Sequence, residues 1–425
     1  MSYDKTGIKT PQDFGDGWGT NLDRKLTSQE VHENFKWAAL FGVGIDSLYY
    51  KRAHRFRAAS NTARTTLSIP ILYAEINGTG YYYSGGTFDL DSTSAWDDTT
   101  YQTPSNRAGK DFYIYAGVPS SGYEADIVLS ANATVPSGHT ADTSRKIGGF
   151  HCLCVDIGTN AAPSSGDVTL WPLDDVYDSH DISGNTHWLN GYVAGDILPF
   201  SIWDLYHRPE SSPEGMVYDP WSGKWVDIYL ASWSGGQIVS VNGGTILDGA
   251  SSTPGKFHWY NFAEHYAQIL KRMAYRAEFM SFAFGVPQGV NIDGGSAPGT
   301  TTGHTATDGN RIVSNIGVED AAGVMWQWGN DMGATTDQGS SWEPADTYDS
   351  TWAYTGSANP EGDTGSYDHL NSIRRGGHYE DPNRPLFGGY WGAGARCGSG
   401  AALWYNRALH LSSPLGSRGV AEPRR

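Results

Sequence analysis

Between residues 61 and 158, apolar and polar positions alternate in short runs: Leu67–Ile76, Tyr81–Tyr83, Phe112–Tyr115 and Gly149–Ile157. Asn77-Gly78, Gly85-Gly86 and Ser120-Ser121-Gly122 punctuate them. A period of two between turn residues predicts strands joined by tight turns, and no helix-length pattern intervenes. A small β-sandwich is therefore expected over residues 61–198. Within it, 159–198 is rich in Gly, Asp, Asn and Ser and reads as an inserted surface loop. From Phe200 the pattern changes. Asn261-Phe-Ala-Glu264 has the form of a capping box, and Phe262, Tyr266, Ile269, Leu270 and Met273 make one apolar helical face. A second helix is predicted over about Arg276–Phe284, stopped by Gly285. Long Gly/Ser/Thr/Asp stretches, 286–310 and 333–365, are broken by one hydrophobic island, Gly323–Gly329. Two helices, short strands and dominant loops predict an α+β domain over 199–425. Near the start, Thr27-Ser-Gln-Glu30 precedes Val31, Phe35, Trp37, Ala38 and Phe41 at helical spacing. One short helix cannot close a core, so residues 1–60 read as an attachment or assembly segment, or as a partly disordered arm.

Composition sharpens this. Charged residues are 18% of the 425 while aromatics reach 13%, with 16 Trp, 25 Tyr and 54 Gly. These are the residue types that recognition loops favour, because rigid aromatics give contact area at low entropic cost. The net charge of −17 argues against nucleic acid, which requires clustered cations, and no run is long and apolar enough to insert in a membrane. The start lacks the apolar core of a signal peptide. A protein made in a cytoplasm and carried outside as part of a particle is expected. Cys152 and Cys154 alternate on a predicted strand, where a bridge is sterically disfavoured and buried thiols are expected; Cys397 has no partner. The acidic stretch Asp174–Asp181 offers oxygens that could hold a structural calcium but lacks the spacing of a defined calcium loop, so a solvated turn is preferred and no metal or cofactor is predicted.

The closing segment, residues 386–425, interleaves two registers. Phe387-Gly388-Gly389, Trp391, Ala401-Ala402, Trp404 and Gly416-Ser417-Arg418-Gly419-Val420 look chosen for geometry and packing. Between them lies an arbitrary mixture of Tyr, Gly, Ala, Arg, Leu, Asn, His, Ser and Pro. A scaffold that fixes some positions and is indifferent to others points to a display surface.

Four stretches, in order, resemble the C-type lectin fold in the branch shared by formylglycine-generating enzymes and retroelement-diversified binding proteins. They are Gly215-Met216-Val217-Tyr218, Lys271-Arg272-Met273 through Glu278-Phe279, Gly323-Val324-Met325-Trp326-Gln327-Trp328, and Gly388-Gly389 with Arg418-Gly419. The match tightens toward the variable proteins of diversity-generating retroelements that tip phage tail fibres. Arg145–His151, Trp203-Asp204 with Arg208-Pro209, Trp225 to Tyr229-Leu230, Tyr260–Glu264, Trp328–Asn330 and Ala401–Tyr405 carry it. The resemblance covers roughly 65–425; it fails for 1–60, for the insertion at 159–198 and for the last five residues.

That resemblance implies a C-terminal face rewritten at adenines by a reverse transcriptase, over a variable region 386–420. The positions it assigns are Tyr390, Gly392, Ala393, Gly394, Arg396, Leu403, Tyr405, Asn406, His410, Ser412, Pro414 and Leu415, all occupied by residues such codons can reach. Trp391, Trp404 and Arg418 are implied as scaffold, the tryptophans packed and the arginine tying loop carbonyls or a buried carboxylate together. A host-surface protein or glycan is the implied partner, with a homotrimer at the tip of a virion fibre; a cell-surface location is the alternative. The enzyme branch of the fold uses a cysteine pair in this segment, and only Cys397 is present. An oxidase is therefore disfavoured, and no catalytic residue is expected. A non-variable structural subunit of a virion or adhesin is the remaining alternative.

Overall fold

The computed structural model describes residues 49–50, 55–59, 63–160, 187–251, 254–332 and 383–424. The predicted helix after Thr27 and the acidic stretch 174–181 lie outside these residues, as does most of the proposed N-terminal segment. Strand outweighs helix, and the chain folds as two compact units. It crosses between them more than once. Of the described residues, the first unit holds those up to Cys152 and Gly195–His207, and the second holds the rest. A single cut at 198 does not capture this.

The first unit carries three small sheets over one core. β1 (Tyr49–Tyr50) joins β4 (Leu72–Ile76) and β5 (Thr79–Tyr83). β2 (Arg57–Ala58), β3 (Thr66–Ile69) and β6 (Gly86–Asp89) make the second sheet. In the third, β7 (Asp111–Gly117) lies between β8 (Asp126–Ser130) and β9 (Ser144–His151), with β10 (Trp203–Asp204) beyond β9. The run Leu67–Ile76 is two strands, because Pro70 between them has no N–H for a ladder. Asn77 and Gly78 take positive φ of 48° and 75°, the two-residue hairpin geometry that pairs Ile76 with Thr79. Phe112 sits at the centre of the core, edge-on to Trp96 at 5.0 Å and to Tyr101 at 5.1 Å. The last predicted run stops short: β9 ends at His151, so Cys152 and Cys154 share no strand face. Each is a buried free thiol, Cys152 in the first unit and Cys154 in the second.

The second unit opens with a hairpin, β11 (Met216–Asp219) and β12 (Lys224–Asp227). The end of the chain returns to it: β20 (Gly419–Ala421) pairs antiparallel with β12 and, on its other edge, with β15 (Arg272–Met273). A second sheet runs β18 (Ala402–Arg407), β17 (Asn383–Phe387), β16 (Trp326–Trp328), β19 (Leu415–Gly416), the last pair parallel. β13 (Ser232–Ser234) and β14 (Gln237–Val239) form a separate hairpin. Helix α1 (Trp259–Gln268) starts earlier than Asn261 predicts. His258 is its cap: the ring Nδ1 accepts from the Asn261 N–H at 3.3 Å, and Asn261 Oδ1 accepts from the His258 N–H at 3.2 Å. Phe262 and Tyr266 are buried as expected, but Leu270 has left the helix at a φ of 59° and is 62% exposed. Helix α2 spans Arg276–Phe282 and ends before Gly285. One core joins Phe262, Tyr266, Trp328, Leu386, Ala408 and Leu415.

Candidate functional site: a display face on the C-terminal segment

The foundation of the segment is Arg418, 1% exposed. Its Nη1 donates to the Asp227 carbonyl at 2.7 Å and to the Ile228 carbonyl, and its Nη2 to the Glu319 carbonyl. Its Nε donates to Gln327 Oε1 at 3.1 Å, while Gln327 Nε2 donates to the Ala321 carbonyl at 2.8 Å. One planar guanidinium thus fastens the end of β12, the 319–321 loop and β16 to the returning chain. Burial pulls its pKa down to about 10, and it stays charged at neutral pH. Beside it, Asp227 pairs with Lys271 and accepts from the Gly419 N–H at 3.0 Å.

Above this base, the chain leaves β17 through two left-handed glycines. Gly388 has φ 92° and Gly389 φ 83°. A Cβ at Gly388 would stand 3.0 Å from Phe279 Cζ, and one at Gly389 only 2.7 Å from Cys397 Sγ. Both the conformation and the space require glycine. Cys397 is 5% exposed and buttresses the turn from inside; burial pushes its thiol up to about 11.

Main-chain bonds then pin both excursions. Trp391 N–H donates to the Val324 carbonyl at 3.1 Å, and Asn291 Nδ2 donates to the Trp391 carbonyl. Gly289 N–H donates to the Cys397 carbonyl at 2.8 Å, and Gln288 Oε1 accepts from the Ser399 N–H at 3.1 Å. After β18, the Ala408 carbonyl accepts from Trp259 N–H at 3.0 Å, that of Ser412 from Gly249 N–H at 3.2 Å, and that of Pro414 from Trp326 N–H at 2.9 Å. These anchors use backbone atoms of the segment, so its side chains can change without removing them.

The twelve positions divide. Gly392, Arg396 and His410 are exposed; Tyr390, Ala393, Gly394, Leu403, Ser412 and Pro414 are half-buried. Asn406 at 8% and Leu415 at 3% are buried, a correction to their placement on an outward face. β18 turns Asn406 inward opposite Arg384, and β19 sets Leu415 opposite Trp326 and in the same core as Trp328. The side chain of Tyr405 lies outside the described residues. Trp391 and Trp404 are half-buried and not core residues. Trp391 meets Tyr390 edge-on at 5.4 Å; Trp404 meets Phe387 at 6.3 Å and lies 6.0 Å from the Arg276 guanidinium. Among the exposed residues between the assigned positions that the sequence pattern does not single out, Arg407, Leu409 at 51% and Leu411 at 42% are the charged and large apolar ones. The signal that could have found them is the absence of any carboxylate between 383 and 421.

A β-rich unit thus holds the C-terminal segment by its backbone, and known proteins share its sequence and fold. A family model described as the Mtd second domain matches residues 74–172. The tail fiber receptor-binding protein of Bordetella phage BPP-1 is 30% identical over 345 residues, which span 76% of this chain and 74% of that protein. Solved structures of two Major Tropism Determinant variants are similar at a TM-score of 0.56 and 25% identity. The U1 variant covers 87% of this chain and 86% of its own, and the M1 variant 88% of each. These likenesses define the class as phage tail-fibre proteins. Within it, the chain belongs to the major tropism determinant family.

Proposed function

We propose that this protein is the receptor-binding tip of a phage tail fibre and attaches the virion to its host. The second unit serves as a C-type lectin-like binding domain, and its C-terminal face is diversified by a retroelement. Three copies per tip would multiply weak single contacts through effective concentration. Residues 1–60 act as the attachment segment and the first unit as a β-sandwich spacer. Host-surface protein or glycan is the partner, without metal or cofactor. The observation that carries the reading is the backbone anchoring of residues 391–414, which leaves side chains there free to vary. No catalysis is assigned, since the one cysteine of the segment is a buried buttress with its thiol pushed up to about 11.

The test is competition. Purified full-length protein is expected to block adsorption of the phage that carries its gene, in proportion to concentration, and a protein that leaves adsorption unchanged sinks the reading. Diversification has its own readout in sister genes, where differences are expected at the assigned exposed positions and at adenines of a template repeat, sparing Trp391, Trp404 and Arg418.

A further inference from the structure

The chain carries a net charge of −17, yet residues 383–421 contain four arginines, one histidine and no Asp or Glu. Arg418 is spent in the scaffold and Arg384 is stacked 3.8 Å from the Trp259 ring centroid. Arg396 and Arg407 are exposed, and neither makes an ion pair among the described residues. Beside Arg407, β18 runs into an exposed apolar turn: Ala408 is buried, while Leu409 and Leu411 stand 51% and 42% exposed on either side of exposed His410. Arg407, Leu409 and Leu411 are outside the twelve diversified positions, so they remain while their neighbours change.

We propose that Arg407, Leu409 and Leu411 form a constant contact of the binding face, and that its occupant is an acidic protein surface with carboxylates around an apolar patch. This rests on the receptor-binding reading above. The charge selects the partner: a cation without an ion pair among the described residues, in a carboxylate-free segment, meets its complement in an anion, and a like-charged partner is repelled. The leucines select protein over glycan, because burying aliphatic side chains against apolar atoms is favourable and sugar hydroxyls offer little to bury them against. Arginine flanked by apolar anchors is also the composition of energetic centres in protein interfaces. Constant residues would then supply baseline affinity and electrostatic steering, and the variable ones the choice of partner.

The probe is a random displayed-peptide library panned on the full chain. Peptides rich in Asp or Glu with Leu, Ile, Val or Phe are expected to be enriched. Their binding is expected to fall about tenfold between about 50 mM and about 500 mM NaCl, and at least about tenfold in Arg407→Glu. Leu409→Ser/Leu411→Ser should weaken the same peptides with the salt dependence retained. Unchanged thermal midpoints keep these losses from being unfolding. Enrichment of peptides without carboxylates, or no enrichment, overturns the proposal; so does preference for polysialic acid over acidic peptides. A change in sedimentation mass in Arg407→Glu overturns it too, because the face would then bind a second copy of this acidic chain. Failure here with adsorption still blocked by the unaltered protein removes only this inference, whereas loss of that block removes the receptor-binding reading.

Discussion

At the residue scale, the arginine at 418 does what no short motif describes. Its four acceptors come from Asp227, Ile228, Glu319 and Gln327, between 91 and 191 positions away in sequence. Sequence shows that an arginine stands between Ser417 and Gly419; only the assembled unit shows which carbonyls it satisfies. Removing it leaves buried neutral acceptors unpaired, and each buried polar group so left costs about 1–3 kcal/mol. Arg418→Met is therefore expected to lower the denaturation midpoint by a corresponding amount. Arg418→Lys should recover little of it, since an ammonium lacks the planar fork that reaches several acceptors at once. Near-wild-type stability of the lysine variant would show that the fork is not what holds the segment. A comparable arrangement holds the first unit, where buried Arg107 donates to the carbonyls of Tyr101 at 2.7 Å, Gln102 at 3.0 Å and Gly195 at 3.1 Å.

At the element scale, local rules are legible in the sequence and non-local ones are not. The Asn77-Gly78 hairpin and helix α2 follow from turn chemistry and periodicity acting over a few residues, whereas the Trp326–Trp328 strand shows in the sequence only as a hydrophobic island. The expected start of α1 falls too late because a histidine, an uncommon cap, takes the capping role. Burial within β18 and β19 escapes the sequence for a different reason: which face of a short strand is inward depends on its sheet partners, and those lie far away in the chain. Gly389 and Gly394 give this scale a clean test. Both have positive φ, 83° and 54°, but a Cβ at Gly394 meets nothing within 4 Å whereas one at Gly389 strikes Cys397. Gly389→Ala should cost about 1–3 kcal/mol for strain alone, and more from the clash. Gly394→Asn, which tolerates the left-handed region, should cost well under that. Equal melting temperatures for the two variants would refute the assigned turn geometry.

For the whole molecule, acid is the revealing perturbation. His187 is buried, accepts from the Leu189 N–H through Nδ1 at 3.2 Å and donates through Nε2 to the Val313 carbonyl at 3.1 Å. That arrangement needs a neutral ring, and burial lowers the pKa to about 4. Buried His207, in the first unit, is also held well below its ordinary value by burial and by Arg55. The unfolded chain binds these protons first, near pH 6.5. The stability tied to neutral rings is thus complete above about pH 6.5 and is lost as pH falls toward about 4. Each tenfold difference in proton affinity between the folded and unfolded chain contributes about 1.4 kcal/mol to that loss. Burial raises Glu319, which works in the opposite sense, so the difference between variants is the useful readout. In His187→Gln, which keeps a donor and an acceptor without a titrating ring, urea midpoints should fall less steeply between about pH 6.5 and about 4. Parallel profiles for the two proteins would rule His187 out as a source of acid sensitivity.

Under the proposed diversification, the inward placement of Leu415 couples renewal of the face to survival of the fold. Its side chain is 3% exposed in the core, while the backbone of β19 pairs with β16. A lineage that rewrote this codon to Asp or Arg would bury an unpaired charge, and its offspring would be lost before any encounter with a host. Among surviving sisters, position 415 should therefore carry a narrower alphabet than exposed His410, five residues away. The core would act as a sieve on what the surface is allowed to try.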